Sequence, residues 1–262
     1  MSNNGVRPNH WADAKCAKAF WSQQESRPYQ RLLADTLDWC NLSPGQRWLD
    51  LGCGCGPLTR GLWERLGGAV EEIVGVDCAP INQQAYARLI TELPHAPAGR
   101  VRFLCHDFSA GLKLFASASF DHVVSGLSIS YAQSYHTATG RWTNAAYTQT
   151  LAEVLRLLRP GGRFVFSVNV PEPRWWVIAL ISAPEIFRKQ RPLRLLKRGW
   201  RMLRYGAWLK REARAGRFHY LPAQAVVAKL AAAGFVRIGH KTSFAGQAYV
   251  FRAEKPFARE VA

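Results

Sequence analysis

Hydrophobic positions follow two alternating patterns along the chain. Segments of five to seven residues that are rich in apolar side chains predict buried strands, at Arg47–Leu51, Glu72–Asp77, Val101–His106, Asp121–Ser125 and Arg163–Asn169. Apolar positions spaced three or four apart predict helices, at residues 9–41, Pro57–Leu66, Ile81–Leu93, Trp142–Leu158 and Pro222–Ala233. Strands and helices that alternate in this way favour right-handed βαβ units and a parallel sheet.

Two departures from this alternation shape the prediction. The first is the interruption of the pattern by residues 174–218. Within the regular part, Arg159–Gly162 is expected to be a tight turn before the fifth strand. The last two strands, Val236–Phe244 and Ala248–Ala253, are separated by only three residues, which is too few for a crossover, so they should pair antiparallel. We therefore predict one α/β domain over residues 1–262, with a Rossmann-like, doubly wound, mostly parallel sheet. A C-terminal antiparallel hairpin closes this sheet, and helices cover both its faces.

Composition supports a globular protein. Of the 262 residues, 48% are hydrophobic and 20% are charged, which does not fit a disordered chain. No apolar run is long enough to cross a bilayer and no signal peptide is recognisable, so we expect a cytoplasmic protein. The six cysteines form no Cys-x-x-Cys pair, and no histidines have zinc spacing, so no metal site is predicted.

Positive charge is concentrated in one segment of the chain. Residues 187–217 contain twelve Lys or Arg against a single acid, Glu212, and so carry +11 of the net charge of +17. The same segment has apolar residues at helical spacing, namely Leu193, Leu196, Trp200, Leu203 and Ala207. The pattern predicts a basic amphipathic helix inside the 174–218 insertion.

Three interpretations of this basic insertion remain open at the level of sequence. It could be a lid that packs its apolar side on the core and exposes a solvated basic face. It could lie on an anionic membrane surface, peripheral to the inner face, which would suit a lipid-like substrate. It could instead contact RNA phosphates, although no separate RNA-binding module is visible. The first two interpretations are compatible with each other.

The candidate chemistry lies at the ends of the predicted strands. The first strand ends in Asp50 and runs into Gly52–Gly56, a loop in which glycines allow a sharp turn and a close approach of a ligand to the main chain. About 20 residues further on, the second strand ends in Asp77, where it can accept both ribose hydroxyls. A nicotinamide fingerprint would need its third glycine at Pro57, so that alternative does not fit.

These segments together resemble the class I S-adenosylmethionine-dependent methyltransferase family, of the type that acts on small molecules. The resemblance covers residues 46–170 and 220–255. It is carried by Trp48–Gly56, Val74–Asp77, Cys105–Phe108, Phe120–Val124 and Leu157–Phe164.

The resemblance implies S-adenosylmethionine as cofactor and gives individual residues their roles. Asp50 and the loop residues Gly52, Cys53, Gly54 and Gly56 would lie near the methionine portion. Asp77 would bind the ribose. The adenine would lie against Asp107, Phe108 and Cys78, and Gly126 would be near the methionine amino group.

The acceptor side is less clearly defined by the sequence. The loop after the fourth strand contains Tyr131 and His136, of which His136 is the best candidate for a general base because histidine titrates near neutrality. A surface histidine and a packed aromatic are the plain alternatives. The preferred acceptor is a small organic or lipid-like molecule. An RNA methyltransferase and a non-catalytic cofactor-binding protein are the other hypotheses, and the sequence predicts no oligomeric state.

Overall fold

A computed structural model describes residues 9–21, 24, 26–94, 97–178, 180–181 and 204–257 of the protein. Within these residues, seven strands form one sheet in the order β3-β2-β1-β4-β7-β9-β8, and β5 pairs with β6 in a separate hairpin. The strands are β1 (Arg47–Leu51), β2 (Glu72–Asp77), β3 (Val101–Cys105), β4 (Phe120–Gly126), β5 (Ser134–His136), β6 (Arg141–Thr143), β7 (Leu158–Asn169), β8 (Val236–Ser243) and β9 (Ala248–Glu254).

The sheet is parallel from β3 to β7 and antiparallel at its far end. Strand β1 pairs in parallel with both β2 and β4, and β4 pairs in parallel with β7. Strand β9 runs antiparallel to both β7 and β8. The predicted fold, including the closing hairpin, is therefore confirmed. The strand order reverses beside β1, where open α/β sheets form a ligand crevice at the carboxyl ends of the strands.

Helices cover both faces of this sheet. They are α1 (Ala14–Trp21), α2 (Arg27–Leu37), α3 (Pro57–Arg65), α4 (Pro80–Glu92), α5 (Ala145–Leu157), α6 (204–214) and α7 (Ala223–Ala233). One core cluster holds Leu32, Trp63 and Tyr86 from α2, α3 and α4, and the other holds Leu151 and Leu230 from α5 and α7. The alternation of apolar runs in the sequence reflects this burial of the sheet on both faces.

Three local predictions differ from the structure. The expected tight turn at Arg159–Gly162 does not precede the strand: β7 runs through it, and the turn takes the form of a bulge in which Gly161 has a φ of +76°. Helix α5 begins three residues later than expected, since residues 141–143 pair with 134–136. The N-terminal segment 9–41 is not one helix: a 3₁₀ turn at His10–Ala12 and helices α1 and α2 follow each other, and Pro28 lies in the first turn of α2.

Only part of the basic insertion lies within the described residues. The predicted apolar stripe falls on 193–207, most of which is outside them. Helix α6 packs its side chains against the aromatic cluster formed by Trp11, Tyr131, Trp175, Phe218 and Tyr220. No helix among the described residues is long and apolar enough to cross a membrane.

Candidate cofactor and acceptor site

The glycine loop after β1 is held against β2 by its own backbone. The amides of Gly52 and Cys53 both donate to the carbonyl of Val76, at 2.7 and 3.0 Å. Gly52, Gly54 and Gly56 have φ values of +71°, +55° and +89°, a region that favours glycine. A Cβ on Gly52 would collide with Ser128, whereas one on Gly54 would meet no protein atom within 4 Å. Protein atoms therefore fill the space beside the Cα atom of Gly52, whereas the space beside the Cα atom of Gly54 is open.

Asp50 is a fully buried carboxyl group beneath this loop. Its Oδ2 accepts hydrogen bonds from the amide and the hydroxyl of Thr59, at 3.2 and 2.8 Å. Its Oδ1 is buried with no hydrogen-bond partner among the described residues. Burial raises the pKa of Asp50 to about 7, and the Thr59 bonds oppose that shift. A cation placed beside Oδ1 would favour the ionised carboxylate.

Asp77 organises the second side of the site. Its Oδ2 accepts from the amide of Gly54 at 2.9 Å, and its Oδ1 accepts from the amide of Ala79 and from Asn82 Nδ2, each at 2.9 Å. Burial raises the pKa of Asp77, and these bonds act in the opposite direction. Trp21 Nε1 donates to Asn82 Oδ1 at 2.8 Å, so a chain of hydrogen bonds links helix α1 to this carboxylate.

Asp107, at the end of β3, is engaged by the N-terminal segment. Its Oδ1 accepts from the amide of Ser109 at 2.9 Å and its Oδ2 accepts from Asn9 Nδ2 at 2.8 Å. The neighbouring Phe108 is buried and lines the adjacent cavity, as does Cys78. Asn9 therefore binds Asp107 directly, and Trp21 is linked to Asp77 through Asn82. These contacts attach both ends of the segment 9–21 to the two acids.

A single cavity of about 1090 Å³, including its open mouth, joins these groups. Nine of the residues singled out from the sequence line it: Asp50, Gly52, Cys53, Gly54, Asp77, Cys78, Phe108, Gly126 and Tyr131. Gly56 and Asp107 lie beside it without forming its wall. The remainder of the wall includes five aromatic residues, namely Trp11, Phe20, Trp21, Tyr29 and Trp175. The cavity therefore has a polar half at the strand ends and an aromatic half built by the N-terminal segment and the insertion.

Tyr131 lies between the two halves. Its hydroxyl is 2.8 Å from that of Tyr220 and accepts from Asn169 Nδ2 at 3.2 Å. Burial raises the pKa of Tyr131 to about 12, so its hydroxyl stays protonated at neutral pH. The tyrosine is therefore a hydrogen-bonding wall residue rather than a base.

The structure places His136 away from the site, which corrects its selection as a general base. The residue is exposed at the end of β5, and its Nδ1 is 2.9 Å from Thr139 Oγ1 within the same small hairpin. Among the described residues that line the cavity there is no histidine. The surface alternative was the better interpretation.

Several wall residues were not selected from the sequence. Asn169 ends β7 at the same sheet edge as Asp77 ends β2, so the strand-end rule that found Asp77 applied to it equally well. Trp11, Phe20 and Trp21 are apolar positions of the segment 9–41 that was predicted to be helical. Their part in the cavity depends on how the N-terminal segment folds back over the sheet, and periodicity does not encode that.

Comparison with known proteins agrees with this geometry. Residues 49–166 match the family described as "Methyltransferase domain". No curated protein is significantly similar to the chain in sequence.

Solved structures share the fold at low sequence identity. A chain in the complex between the Haloferax volcanii Trm112 methyltransferase activator and the putative methyltransferase has a TM-score of 0.61 and 18% identity, covering 96% of this chain and 100% of that one. The N-methyltransferase NodS from Bradyrhizobium japonicum, solved with S-adenosylhomocysteine, has a TM-score of 0.54 and 14% identity, with coverages of 90% and 91%. Phosphoethanolamine N-methyltransferase 2 from Haemonchus contortus, solved with S-adenosylmethionine, has a TM-score of 0.61 and 16% identity, with coverages of 96% and 61%.

The family match covers residues 49–166, which include most of the strands that build the cavity, and makes this part of the chain a methyltransferase domain. Its cofactor is S-adenosylmethionine.

Proposed function

We propose that this enzyme transfers the methyl group to a small organic or lipid-like acceptor held in the aromatic half of the cavity. The observation that carries the proposal is the continuity of the cavity from the glycine loop to the aromatic wall. An acceptor in the aromatic half would lie next to a cofactor in the polar half. The cofactor supplies a methyl group that is already activated, so the main task of the protein is to position the acceptor.

The residues of the polar half fit this cofactor. Asp50 Oδ1 is a buried acceptor without a partner among the described residues, and a positively charged amino group would satisfy it. The space in front of Gly54 allows a ligand to approach the main chain. We assign Asp77 to the ribose, and Cys78, Asp107 and Phe108 to the adenine. The methionine portion would lie against Asp50, Gly126 and the loop residues Gly52, Cys53, Gly54 and Gly56.

The described parts of the insertion support a lid over the acceptor. Trp175 lines the cavity, and Tyr205 of α6 is 2.8 Å from His10 Nε2 through its hydroxyl. The ring centroids of His10 and Trp208 are 4.3 Å apart. These contacts join α6 to the N-terminal segment, and together the two would enclose the acceptor.

The test of this function is a turnover assay with methyl-labelled cofactor and a cell extract that includes membranes. We expect the label to enter a small molecule that can be extracted into organic solvent, and boiled protein serves as the blank. Label recovered in RNA would overturn the proposed acceptor class in favour of an RNA methyltransferase. Cofactor binding without any labelled product would indicate a non-catalytic protein.

We further propose that the enzyme works in the cytoplasm, in peripheral contact with the anionic inner face of the membrane. Trp176, Leu180 and Ile181 are 52%, 63% and 46% exposed just before the basic segment 187–217. Exposed apolar side chains beside a cluster of cations favour an anionic lipid surface.

Co-sedimentation with vesicles tests the membrane contact. At low salt, we expect the protein to pellet with anionic phosphatidylglycerol vesicles and to remain in solution with zwitterionic ones. Replacing Trp176, Leu180 and Ile181 together by serine should reduce the pelleted fraction several-fold, because the buried apolar area is lost. Leu114→Ser is the matched control, since Leu114 is a similarly exposed apolar residue elsewhere on the surface. Absence of binding at low salt, or an equal loss in the control, would refute the contact.

A further inference from the structure

We propose that the acceptor is an uncharged aromatic ring that carries a hydroxyl group, and that this hydroxyl donates a hydrogen bond to Asn169 Oδ1. The inference deepens the proposed function and rests on it. It concerns the part of the cavity formed by Trp11, Phe20, Tyr131, Asn169 and Trp175, called here the acceptor chamber.

The walls of the acceptor chamber are flat aromatic rings that already pack against one another. The ring centroids of Trp11 and Tyr131 are 4.5 Å apart, and those of Trp11 and Phe20 are 5.2 Å apart. Aromatic pairs in such tilted or edge-to-face arrangements gain free energy beyond that from the burial of their area. A planar ring in the ligand would extend this packing, whereas a flexible alkyl chain would gain only the burial of area.

The charges around the cavity disfavour an anionic acceptor. Among the described residues that line it there is no lysine, arginine or histidine, although the chain as a whole carries +17. Its two charged wall residues, Asp50 and Asp77, are acids at the strand ends. A buried carboxylate or phosphate on the acceptor would meet no cation there and would be strongly disfavoured.

A cationic acceptor is disfavoured for a different reason. Aromatic faces do attract cations, but the cofactor brings a sulfonium cation into the same cavity, and two cations within one weakly polar cavity repel each other. A quaternary ammonium group also has no N–H to donate, so it would leave a buried acceptor of the protein unsatisfied.

Asn169 is that acceptor. The residue is 1% exposed at the end of β7 and lines the chamber. Its Nδ2 donates to the Tyr131 hydroxyl at 3.2 Å, while its Oδ1 is buried without a partner among the described residues. A buried acceptor that is left without a partner destabilises the structure. A neutral hydroxyl group on the ligand supplies one donor and brings no charge, so it matches Asn169 and the aromatic walls together.

Four ligands that share one ring system test the proposal. The full chain is titrated by calorimetry with 2-naphthol, 2-fluoronaphthalene, 2-naphthoate and a 2-naphthyl trimethylammonium salt, with and without saturating S-adenosylhomocysteine. We expect 2-naphthol to bind about tenfold more tightly than 2-fluoronaphthalene, since one satisfied hydrogen bond is worth roughly 1.4 kcal/mol here. The naphthoate and the ammonium salt should bind more weakly than 2-naphthol.

Two variants separate the hydroxyl contact from the aromatic packing. Asn169→Ala should remove the preference for 2-naphthol over 2-fluoronaphthalene and leave the affinity for S-adenosylhomocysteine within about twofold, a range below 0.5 kcal/mol. Trp11→Leu should weaken both neutral ligands alike and keep the preference. If one variant fails to bind S-adenosylhomocysteine, the other variant and the four titrations of the wild type still test the preference for 2-naphthol.

The outcomes distinguish a failure of this inference about the acceptor from a failure of the proposed function. Tightest binding of the ammonium salt or of the naphthoate overturns the inference, and so does equal binding of the two neutral ligands to the wild type. Failure of the wild type to bind S-adenosylhomocysteine would instead count against the cofactor assignment. The titrations without S-adenosylhomocysteine still test the acceptor chamber in that case.

Discussion

A Gly54→Ala variant is expected to fold normally and to lose affinity for S-adenosylhomocysteine on the order of 100-fold. Gly54 has a φ of +55°, where an alanine costs roughly 1–2 kcal/mol. A Cβ there meets no protein atom within 4 Å, so it adds no clash within the protein. The added methyl group would occupy the space assigned to the cofactor, and misfit of this kind costs typically 1–3 kcal/mol. Calorimetric titration measures the affinity, and thermal unfolding measures the fold.

The chain offers a matched control for the strain in the backbone. Gly45, in the turn before β1, has a φ of +74° and also has no protein atom within 4 Å of an added Cβ, but it does not line the cavity. Gly45→Ala should therefore change stability by a similar amount and leave the affinity unchanged. Equal losses of affinity in the two variants, or no loss in Gly54→Ala, would show that the cofactor does not approach this amide.

Gly52 differs from Gly54 in the space that is available to an added Cβ. Gly52 has a similar φ, but its Cβ would collide with Ser128, whose hydroxyl donates to the carbonyl of Leu51 at 2.8 Å. Gly52 thus packs against protein and Gly54 faces open space. The spacing of glycines in the sequence does not distinguish the two positions, although it locates the loop correctly.

The central sheet could be predicted well because parallel strands that are buried on both faces leave a strong pattern. The bounds expected for β1 and β2 coincide with those in the structure. Each strand is short and mostly apolar, β1 is followed by Gly52, and β2 ends in Asp77. The small hairpin of β5 and β6 was missed because three-residue strands are shorter than any pattern of period two can reveal.

The polar half of the site could be predicted and most of the aromatic half could not, for the same physical reason. Asp50 and Asp77 belong to the neighbouring strands β1 and β2, and Phe108 lies three residues after the end of β3, so the sheet brings them together. Trp11, Phe20 and Trp175 line the same cavity only because the N-terminal segment and the insertion fold over the same sheet edge. No local pattern contains that information, and the selection of His136 failed because its hairpin points its side chain to solvent.

An Asp77→Ala variant should lose affinity for S-adenosylhomocysteine by about 1000-fold or more. In our assignment this carboxylate binds the ribose, and each hydrogen bond to a charged group contributes about 1.5–3 kcal/mol. The same carboxylate accepts from the amide of Gly54, from the amide of Ala79 and from Asn82, so its removal also frees the glycine loop and the start of α4. Both effects weaken binding, and calorimetry on the purified variant measures their sum.

Two further variants divide this loss into its causes. Asn82→Ala removes one of the bonds that orient Asp77 and the contact with Trp21 Nε1, but it leaves the charge in place. It should therefore cost about tenfold, equivalent to 1.4 kcal/mol. Asp38→Ala removes an exposed carboxylate that pairs with Arg65 and should have no effect on binding. If Asp77→Ala bound within tenfold of the wild type, the ribose would have to be held elsewhere. The alternative position would then be Asp107, whose carboxylate follows β3, the strand next to β2.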